Sequence, residues 1–208
     1  SYVIYSDGSS PEILDNSITS NNSSAVYLTE SDSAIVVNNT ISDNSNGIVV
    51  YNSEYVVINN NTTSENNNYG VYLYSCQYTN ITNNTTSDNG NYGVYCNYSD
   101  NVNIENNTIS NNSSVGIYLN QYNDNVYIEN NIISDNNSNG VYIYYDNDNF
   151  NILNNTISSN QSYGIYGGNN SSGDVIDNLI VNNGSYGIFL SQVDNEHCEV
   201  RDNTIFGH

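Results

Sequence analysis

The sequence predicts an all-β protein, a parallel β-helix (β-solenoid) of about nine coils in a single domain over residues 1–208. Three observations predict it. An Asn-Asn-Thr-Ile motif returns about every 23 residues, the segments between motifs alternate apolar and polar residues in runs of about five, and no copy carries a helical period. Because no copy could bury its apolar side alone, successive copies must stack, each strand pairing with its counterpart about 4.8 Å away.

Asparagine occupies two fixed places in each repeat. The first column is Asn16, Asn39, Asn61, Asn84, Asn107, Asn131, Asn155, Asn178 and Asn203. The second, five residues further on, is Asn21, Asn44, Asn66, Asn89, Asn112, Asn136, Asn160 and Asn183, with His208 in that place in the last copy. Stacked inward carboxamides can donate to one another and to corner backbone groups, so both columns are predicted to be structural Asn ladders.

Each copy is predicted to contribute three short strands. One strand carries an aliphatic residue three positions before the first Asn, as at Ile81, and the next carries a β-branched residue two positions after it, as at Thr86. The last strand opens with Gly in most copies and continues aliphatic, aromatic, aliphatic, as in Val71, Tyr72 and Leu73. Period-two alternation puts the aliphatic side chains inside the rod and the tyrosines outside.

The charge balance excludes several classes of partner. Lys and Arg together contribute one residue and Asp and Glu contribute 22, for a net charge of −21. Nucleic acid is excluded because only Arg201 could neutralise a phosphate, and anionic membrane surfaces and acidic polysaccharides are disfavoured for the same reason. No run of about 18 apolar residues occurs, so no membrane insertion is expected.

The repeats resemble a known family. Their form, Asn-Asn-Thr-Ile-Ser, then Asn, then Gly-Ile-Tyr-Leu, then Asn-Val-x-Ile, is similar to that of the right-handed parallel β-helix repeats of pectate-lyase-like enzymes and of many archaeal and bacterial surface proteins. The acidic, Asn- and Tyr-rich, Lys-free composition most resembles archaeal cell-surface and sheath structural repeat proteins of methanogens. The resemblance implies a right-handed coil, an extracellular location at the cell surface and a structural role.

The main functional prediction is a structural, self-assembling surface protein whose subunits stack end to end into a filament, hoop or sheath. The repeat phase at residue 1 matches the phase that would follow residue 208, and open coil ends expose unpaired strand edges. The protein itself is therefore the expected partner, in a head-to-tail homopolymer. The predicted contact residues are Tyr2, Val3, Ile4 and Tyr5 at one end and Arg201, Ile205, Phe206 and His208 at the other.

The three cysteines suggest covalent links between subunits. Cys96 takes an inward aliphatic place between Leu73 and Leu119 and is predicted to be a buried thiol. Cys76 lies three residues beyond Leu73, which places it at the outer edge of the coil, and Cys198 lies several coils away. These separations do not suit an internal bridge, so Cys76 and Cys198 are predicted to form intermolecular disulfides.

Catalysis is not predicted, and no cofactor is assigned. Lyases of the resembled family use an Arg or Lys base beside acidic residues that hold Ca²⁺, whereas the single Arg of this chain lies in its last coil. The acidic edge of Asp100, Asp124, Asp146 and Asp148 is interpreted as a solvated face, with a weak Ca²⁺ site as the alternative.

The alternative function is a carbohydrate-binding or polysaccharide-cleaving secreted β-helix that contacts glycan through an outward row of tyrosines. That row is Tyr27, Tyr72, Tyr95, Tyr118, Tyr142 and Tyr166. Tyrosines stacked from strand to strand more often stabilise the sheet itself, by some tenths of a kcal/mol per pair. The near-constant coil length, without long loops over a cleft, favours the structural role.

Overall fold

The computed structural model describes residues 2–169, 172–191 and 198–208. Within these ranges the chain forms 27 β-strands and no helix, and the strands make three parallel sheets of nine strands each. The all-β solenoid of about nine coils is therefore confirmed. None of the described segments is a helix able to cross a membrane.

The strands follow one another in the same order in every coil. The first three coils contain β1 Tyr2–Asp7, β2 Glu12–Leu14, β3 Ser17–Thr19, β4 Ser24–Thr29, β5 Ile35–Val37, β6 Thr40–Ser42, β7 Asn46–Tyr51, β8 Val57–Asn59 and β9 Thr62–Ser64. The next three contain β10 Val71–Tyr74, β11 Asn80–Thr82, β12 Thr85–Ser87, β13 Val94–Asn97, β14 Asn103–Glu105, β15 Thr108–Ser110, β16 Ile117–Gln121, β17 Tyr127–Glu129 and β18 Ile132–Ser134. The last three contain β19 Val141–Tyr145, β20 Phe150–Leu153, β21 Thr156–Ser158, β22 Ile165–Gly168, β23 Gly173–Ile176, β24 Leu179–Val181, β25 Ile188–Ser191, β26 Val200–Arg201 and β27 Thr204–Phe206.

Each sheet takes one strand from every coil. The first sheet runs β1-β4-β7-β10-β13-β16-β19-β22-β25, the second β2-β5-β8-β11-β14-β17-β20-β23-β26, and the third β3-β6-β9-β12-β15-β18-β21-β24-β27. Equivalent residues are aligned, for example Ile81 with Ile104 in the second sheet and Thr86 with Ile109 in the third. A one-residue slip would turn every inward side chain outward, so the hydrophobic pattern fixes this register.

Aliphatic side chains from all three sheets fill the inside of the rod. Val71 and Leu73 of the first sheet, Ile81 of the second and Ile109 of the third are fully buried. Burying one such side chain stabilises the fold by roughly 1.5–3 kcal/mol. Because the strands are short, this surface is buried only by contact with the next coil, and the stability of the rod is a property of the stack.

The glycine that opens the strands of the first sheet is required by close packing between coils. A Cβ atom on Gly116 would lie 2.7 Å from the carbonyl oxygen of Gly140 and 2.9 Å from Nδ2 of Asn136 in the second Asn ladder. Neither neighbour could withdraw without breaking a hydrogen bond, since the Asn136 amide also donates to Asn160 Oδ1. The corner at Gly116 therefore admits no side chain.

The corners of the coil are made by residues in the left-handed region of φ. Asn83, with φ of 57°, directly precedes the ladder residue Asn84, and Asp88, with φ of 56°, directly precedes Asn89. Asn and Asp adopt this conformation more readily than other residues with a Cβ atom. The Asn-Asn and Asp-Asn pairs of the repeat thus divide two tasks, the first residue turning the chain and the second bonding between coils.

Candidate functional site

Both predicted Asn ladders form, and their members are buried. The buried members are Asn39, Asn61, Asn84, Asn107, Asn131, Asn155 and Asn178 in the first ladder and Asn44, Asn66, Asn89, Asn112, Asn136, Asn160 and Asn183 in the second. The terminal members Asn16, Asn21 and Asn203 are half-buried. In a typical rung the Asn84 amide donates to Asn107 Oδ1 at 3.1 Å and to the Ile58 carbonyl at 2.9 Å, while the Asn84 backbone N–H donates to the same Asn107 oxygen at 2.8 Å. These carboxamides are committed to the backbone, so the ladders hold the scaffold and offer little to a ligand.

His208 completes the second ladder. The backbone N–H of Asn183 lies 3.2 Å from Nδ1 of His208, and Nε2 lies 3.3 Å from the Ile180 carbonyl oxygen. The imidazole thus takes the place of a ladder carboxamide beside the backbone of Asn183 and Ile180.

A third ladder, which the sequence analysis missed, follows the strands of the first sheet. Its buried members are Ser31, Ser53, Cys76, Ser99, Asn123 and Asn147. Backbone N–H groups donate along it, from Cys76 to Ser99 Oγ at 3.1 Å and from Ser99 to Asn123 Oδ1 at 3.0 Å. The constant spacing of these positions was a usable signal, but the change from Ser to Cys to Asn hid their common role.

The outer-edge placement of Cys76 is wrong. Ser75, with φ of 51°, turns the chain inward, and Cys76 is fully buried with its Sγ 3.4 Å from the carbonyl oxygens of Val50 and Tyr74. Burial raises the pKa of this thiol to about 11. A folded subunit therefore cannot offer Cys76 to another molecule.

The other two cysteines lie where the sequence analysis placed them. Cys96 is fully buried, as predicted, and Cys198 is exposed. Burial, reinforced by the Asp174 carboxylate, raises the pKa of Cys198. An intermolecular bond through Cys198 stays a prediction.

The outer surface of the first sheet is an aromatic wall, called the tyrosine face below. It comprises the central row Tyr27, Val49, Tyr72, Tyr95, Tyr118, Tyr142, Tyr166 and Phe189, with Tyr69, Tyr92, Tyr163 and Tyr186 on one side and Tyr51, Tyr74, Asn97, Asn120 and Tyr144 on the other. The central row is mostly half-buried, whereas Tyr144 and Tyr186 are 43% and 60% exposed. The predicted outward tyrosine row is therefore present, and it is wider than the sequence analysis stated.

Neighbouring rings of the tyrosine face are in contact along the rod. The centroids of Tyr118 and Tyr142 are 4.8 Å apart with planes 6° from parallel, and those of Tyr72 and Tyr95 are 4.9 Å apart at 21°. The stack breaks between Tyr142 and Tyr166, whose planes are 89° apart. Ring pairs of these geometries add about 0.5–1.5 kcal/mol beyond their area burial.

A network of neutral hydrogen bonds lies in the middle of the tyrosine face. The Asn120 amide donates to the Tyr95 hydroxyl at 3.0 Å and to Asn97 Oδ1 at 3.2 Å, and the Tyr118 hydroxyl donates to Asn120 Oδ1 at 3.0 Å. Burial raises the pKa of Tyr95 to about 12 and raises that of Tyr118 still further. The phenols are therefore neutral donors and acceptors at physiological pH.

Four tyrosines beside this face take a conformation that is unfavourable for bulky residues. Tyr55, Tyr78, Tyr98 and Tyr122 have φ between 51° and 57° and are between 39% and 55% exposed. The rings of Tyr55 and Tyr78 stack at 4.9 Å and 6°, and those of Tyr98 and Tyr122 at 5.5 Å and 18°. Left-handed φ at a non-glycine residue costs of order 1–3 kcal/mol. Tyr98 and Tyr122 thus extend the aromatic surface onto the corner that follows the first sheet, and Tyr55 and Tyr78 occupy the next corner along the coil.

Asp7 lies on the outer side of the first sheet at its first coil, in the column of Tyr51, whereas rows of other acidic side chains lie beside the tyrosine face. Asp100, Asp124 and Asp148 form a ladder at the corner that follows the first sheet, where the Asp124 N–H donates to Asp100 Oδ1 and the Asp148 N–H donates to Asp124 Oδ1, each at 3.0 Å. Burial raises the pKa of Asp124, and the neighbouring carboxylates of Asp100 and Asp148 reinforce the shift. The acidic edge expected from the sequence is thus a row of like charges that bond to backbone groups.

A second acidic row borders the opposite edge of the tyrosine face. Asp43, Glu65, Asp88 and Asp135 occupy left-handed corner positions directly after strands of the third sheet. The two rows together hold seven of the 22 acidic residues of the chain, on either side of the tyrosine face.

The ends of the rod hold the single cationic side chain and several exposed apolar ones. Arg201 Nε lies 3.1 Å from Glu199 Oε1, and its Nη1 lies 2.8 Å from Asp202 Oδ2. Among the predicted contact residues, Tyr2, Val3, Tyr5, Ile205 and Phe206 are 43–56% exposed, while Ile4 packs on the core. The head-to-tail contact stays a prediction.

No metal site is evident in the part of the chain that the structure describes. Its His, Cys, Asp and Glu residues form no group of three that could hold an ion.

Comparison with known proteins places this scaffold in a family. The family model described as "right handed beta helix region" matches residues 1–131 and 72–208. The chain belongs to the right-handed β-helix family. No match was found among curated proteins.

Solved structures share the fold at low sequence identity. The chain is similar to the periplasmic alginate epimerase AlgG (18% identity, TM-score 0.82, covering 94% of this chain and 50% of that one). It is also similar to the alginate lyase from Paenibacillus sp. str. FPU-7 (12%, 0.76, 93% and 76%) and to the pectate lyase Pel9A (18%, 0.71, 88% and 54%). This right-handed β-helix chain thus spans about half the length of the epimerase, and these likenesses show the fold alone.

The comparison contradicts the prediction that the chain is not an enzyme. The similar structures are titled as an epimerase and two lyases, all of them enzymes. The prediction was wrong because it inferred the absence of catalysis from the absence of Lys and the remote position of Arg201. The lack of Lys and the remote position of Arg201 argue against a basic side chain as the catalytic base and against an anionic substrate. They do not argue against catalysis by other residues.

Proposed function

We propose that this β-helix protein acts on polysaccharide outside the cytoplasm and that the tyrosine face is the surface that engages the glycan. The central row from Tyr72 to Tyr142 carries the proposal, because it offers a continuous aromatic surface along the rod with one ring per coil. The apolar C–H groups of a pyranose ring pack on aromatic rings, and the sugar hydroxyls pair with neutral donors and acceptors. An extended glycan needs both kinds of contact in a repeating array.

Two further observations support this proposal. The Asn120 network on the tyrosine face supplies an amide and two phenol hydroxyls, each hydroxyl 3.0 Å from the amide, a suitable set of partners for sugar hydroxyls. The solved structures that share the fold are titled as enzymes of alginate and pectate. A location at the cell surface, where such polymers occur, belongs to the same proposal.

The proposal is tested by binding to polysaccharides. The purified chain is run in native gels that contain cellulose ethers, mannan, xylan, alginate or polygalacturonate, and retardation by at least one of them is expected. Tyr118→Ala should lower the affinity for that polysaccharide by at least roughly tenfold, the loss of about 1.4 kcal/mol expected when one stacking ring is removed. Tyr127→Ala is the matched control, because Tyr127 is 47% exposed on the second sheet.

Two results would sink the proposal. One is that none of the polysaccharides retards the chain. The other is that Tyr127→Ala lowers the affinity as much as Tyr118→Ala. Circular dichroism of both variants separates a loss of binding from a loss of fold, and Tyr118→Phe, which keeps the ring, should retain most of the binding.

A further inference from the structure

We propose that the polysaccharide held by the tyrosine face is uncharged, unlike the alginate and pectate of the similar enzymes. This inference rests on the proposed function and narrows it to a substrate class. The residues that define the tyrosine face are Tyr, Phe, Val and Asn, and none of them carries a charge at neutral pH. Recognition there depends on ring packing and neutral hydrogen bonds.

The surroundings of the tyrosine face would repel a polyuronate. Asp100, Asp124 and Asp148 line one edge of the face, while Asp88 and Asp135 belong to the row along the other. A uronate chain on the tyrosine face would carry one negative charge per sugar between these two rows. Repulsion between the uronate carboxylates and these aspartates would weaken binding, and salt screens that repulsion only in part.

The chain offers no cation to offset that repulsion. It contains one Lys or Arg in total, and that residue, Arg201, already bonds to Glu199 and Asp202. Arg201 also lies in β26 of the second sheet, away from the tyrosine face. Carboxylate recognition ordinarily uses the paired donors of Arg or the charge of Lys.

The polar groups that are present suit hydroxyl groups instead. The Asn120 amide, the Tyr95 and Tyr118 hydroxyls and Asn97 Oδ1 are connected in one network, so the site provides both donors and acceptors. A sugar hydroxyl can donate and accept at the same time, whereas a carboxylate only accepts. The acceptor oxygens of Asn97 and Asn120 could not bond to a carboxylate, because neither side of that contact supplies a hydrogen-bond donor.

The experiment compares a neutral and a negatively charged hexasaccharide that otherwise have the same backbone. Mannohexaose and the hexamer of β-1,4-linked mannuronate share their linkage and ring configuration, and they differ in having a hydroxymethyl or a carboxylate group on each sugar. Cellohexaose is included as a second neutral ligand. Titration calorimetry at physiological salt should give at least one neutral hexamer roughly tenfold or more tighter binding than the mannuronate hexamer.

A second set of variants, in which a positive charge is introduced, tests whether the tyrosine face is the place where the charge of the ligand matters. Asn120→Lys places a cation in the centre of the tyrosine face and should raise the affinity for the mannuronate hexamer by roughly tenfold while lowering that for the neutral ligand. Asn103→Lys is the matched control, because Asn103 is a half-buried outward residue of β14 in the second sheet and gives the same net charge. The control should leave both affinities unchanged.

The outcomes separate this inference from the proposed function. If the mannuronate hexamer binds the natural sequence as tightly as the neutral ones, with or without added Ca²⁺, the inference is wrong and the proposed function stands. If Asn103→Lys raises the affinity for the mannuronate hexamer as much as Asn120→Lys does, the inference is also wrong. The affinity would then depend on the net charge of the protein and not on a charge at the tyrosine face. If no polysaccharide or hexamer binds at all, the proposed function fails and the inference fails with it.

Discussion

Replacing the ladder residue Asn107 with Leu should destabilise the rod strongly. The Asn107 side chain accepts hydrogen bonds from the backbone N–H and the amide of Asn84, at 2.8 and 3.1 Å, and donates to the Ile81 carbonyl at 2.8 Å and to Asn131 Oδ1 at 3.0 Å. Leucine leaves the Asn84 N–H and the Ile81 carbonyl in the core without these partners. Each buried unpaired group costs about 1–3 kcal/mol, so a loss of roughly 2–6 kcal/mol is expected.

The control for this change is Asn103→Leu, four residues earlier in the same coil. Asn103 points outward from β14, and its amide donates to Glu105 Oε2 at 3.3 Å. That substitution should change the stability by less than about 1 kcal/mol. The free energy of unfolding is measured by urea titration with circular dichroism, and a shift in the slope of the transition would report partial unfolding of a few coils. Equal losses in the two variants would refute the claim that the buried ladder fixes the stack.

Four further outcomes are expected. Gly116→Ala should destabilise the fold by about 1–3 kcal/mol in the same urea assay, because its Cβ would lie 2.7 Å from a carbonyl oxygen; unchanged stability would contradict this packing. Thr86→Val should stabilise the rod by about 1 kcal/mol, because the Thr86 hydroxyl is buried without a partner; a destabilised variant would show that this hydroxyl is bonded. Alkylation at pH 8 followed by mass spectrometry should modify Cys198 in the native protein and Cys76 only after unfolding, since burial raises the pKa of Cys76 to about 11; rapid native labelling of Cys76 would contradict its burial. Stability should also fall as the pH rises from about 10 towards 12, because the pKa of Tyr95 is about 12 in the folded chain and 10.0 in its ordinary state, so its contribution is complete below pH 10 and lost above pH 12; a flat profile measured by tyrosinate absorbance and circular dichroism would contradict it.

Residues that repeat by chemical type could be placed from the sequence. The Asn ladders, the inward aliphatic columns and the outward tyrosines follow from a period near 23 combined with alternation along strands, because a side chain in a strand points to one face or the other. Cys96 was placed correctly for this reason, since it replaces an aliphatic residue within a strand. The His208 position in the second ladder also followed from the spacing alone.

Residues at corners could not be placed in the same way. Cys76 was assigned to the outside because alternation was extended beyond the end of β10, whereas the left-handed φ of Ser75 reverses the direction of the chain at that point. The third ladder escaped notice because its residues change from Ser to Cys to Asn along the rod. Alternation holds only for extended backbone, and each left-handed residue resets it.

The sequence by itself determined the period, the number of coils and the face to which each strand residue belongs, because stacking identical copies is the way in which such short strands bury their apolar sides. Only the tertiary structure decided in which direction the side chains at the corners point, and therefore where the charged side chains lie. The composition gave a net charge of −21, but the carboxylates of Asp88 and Asp124 gather in rows beside an uncharged tyrosine face because the coil brings residues about 23 positions apart into neighbouring rungs. The stacking of the coils thereby decides which carboxylates lie along each edge of that face.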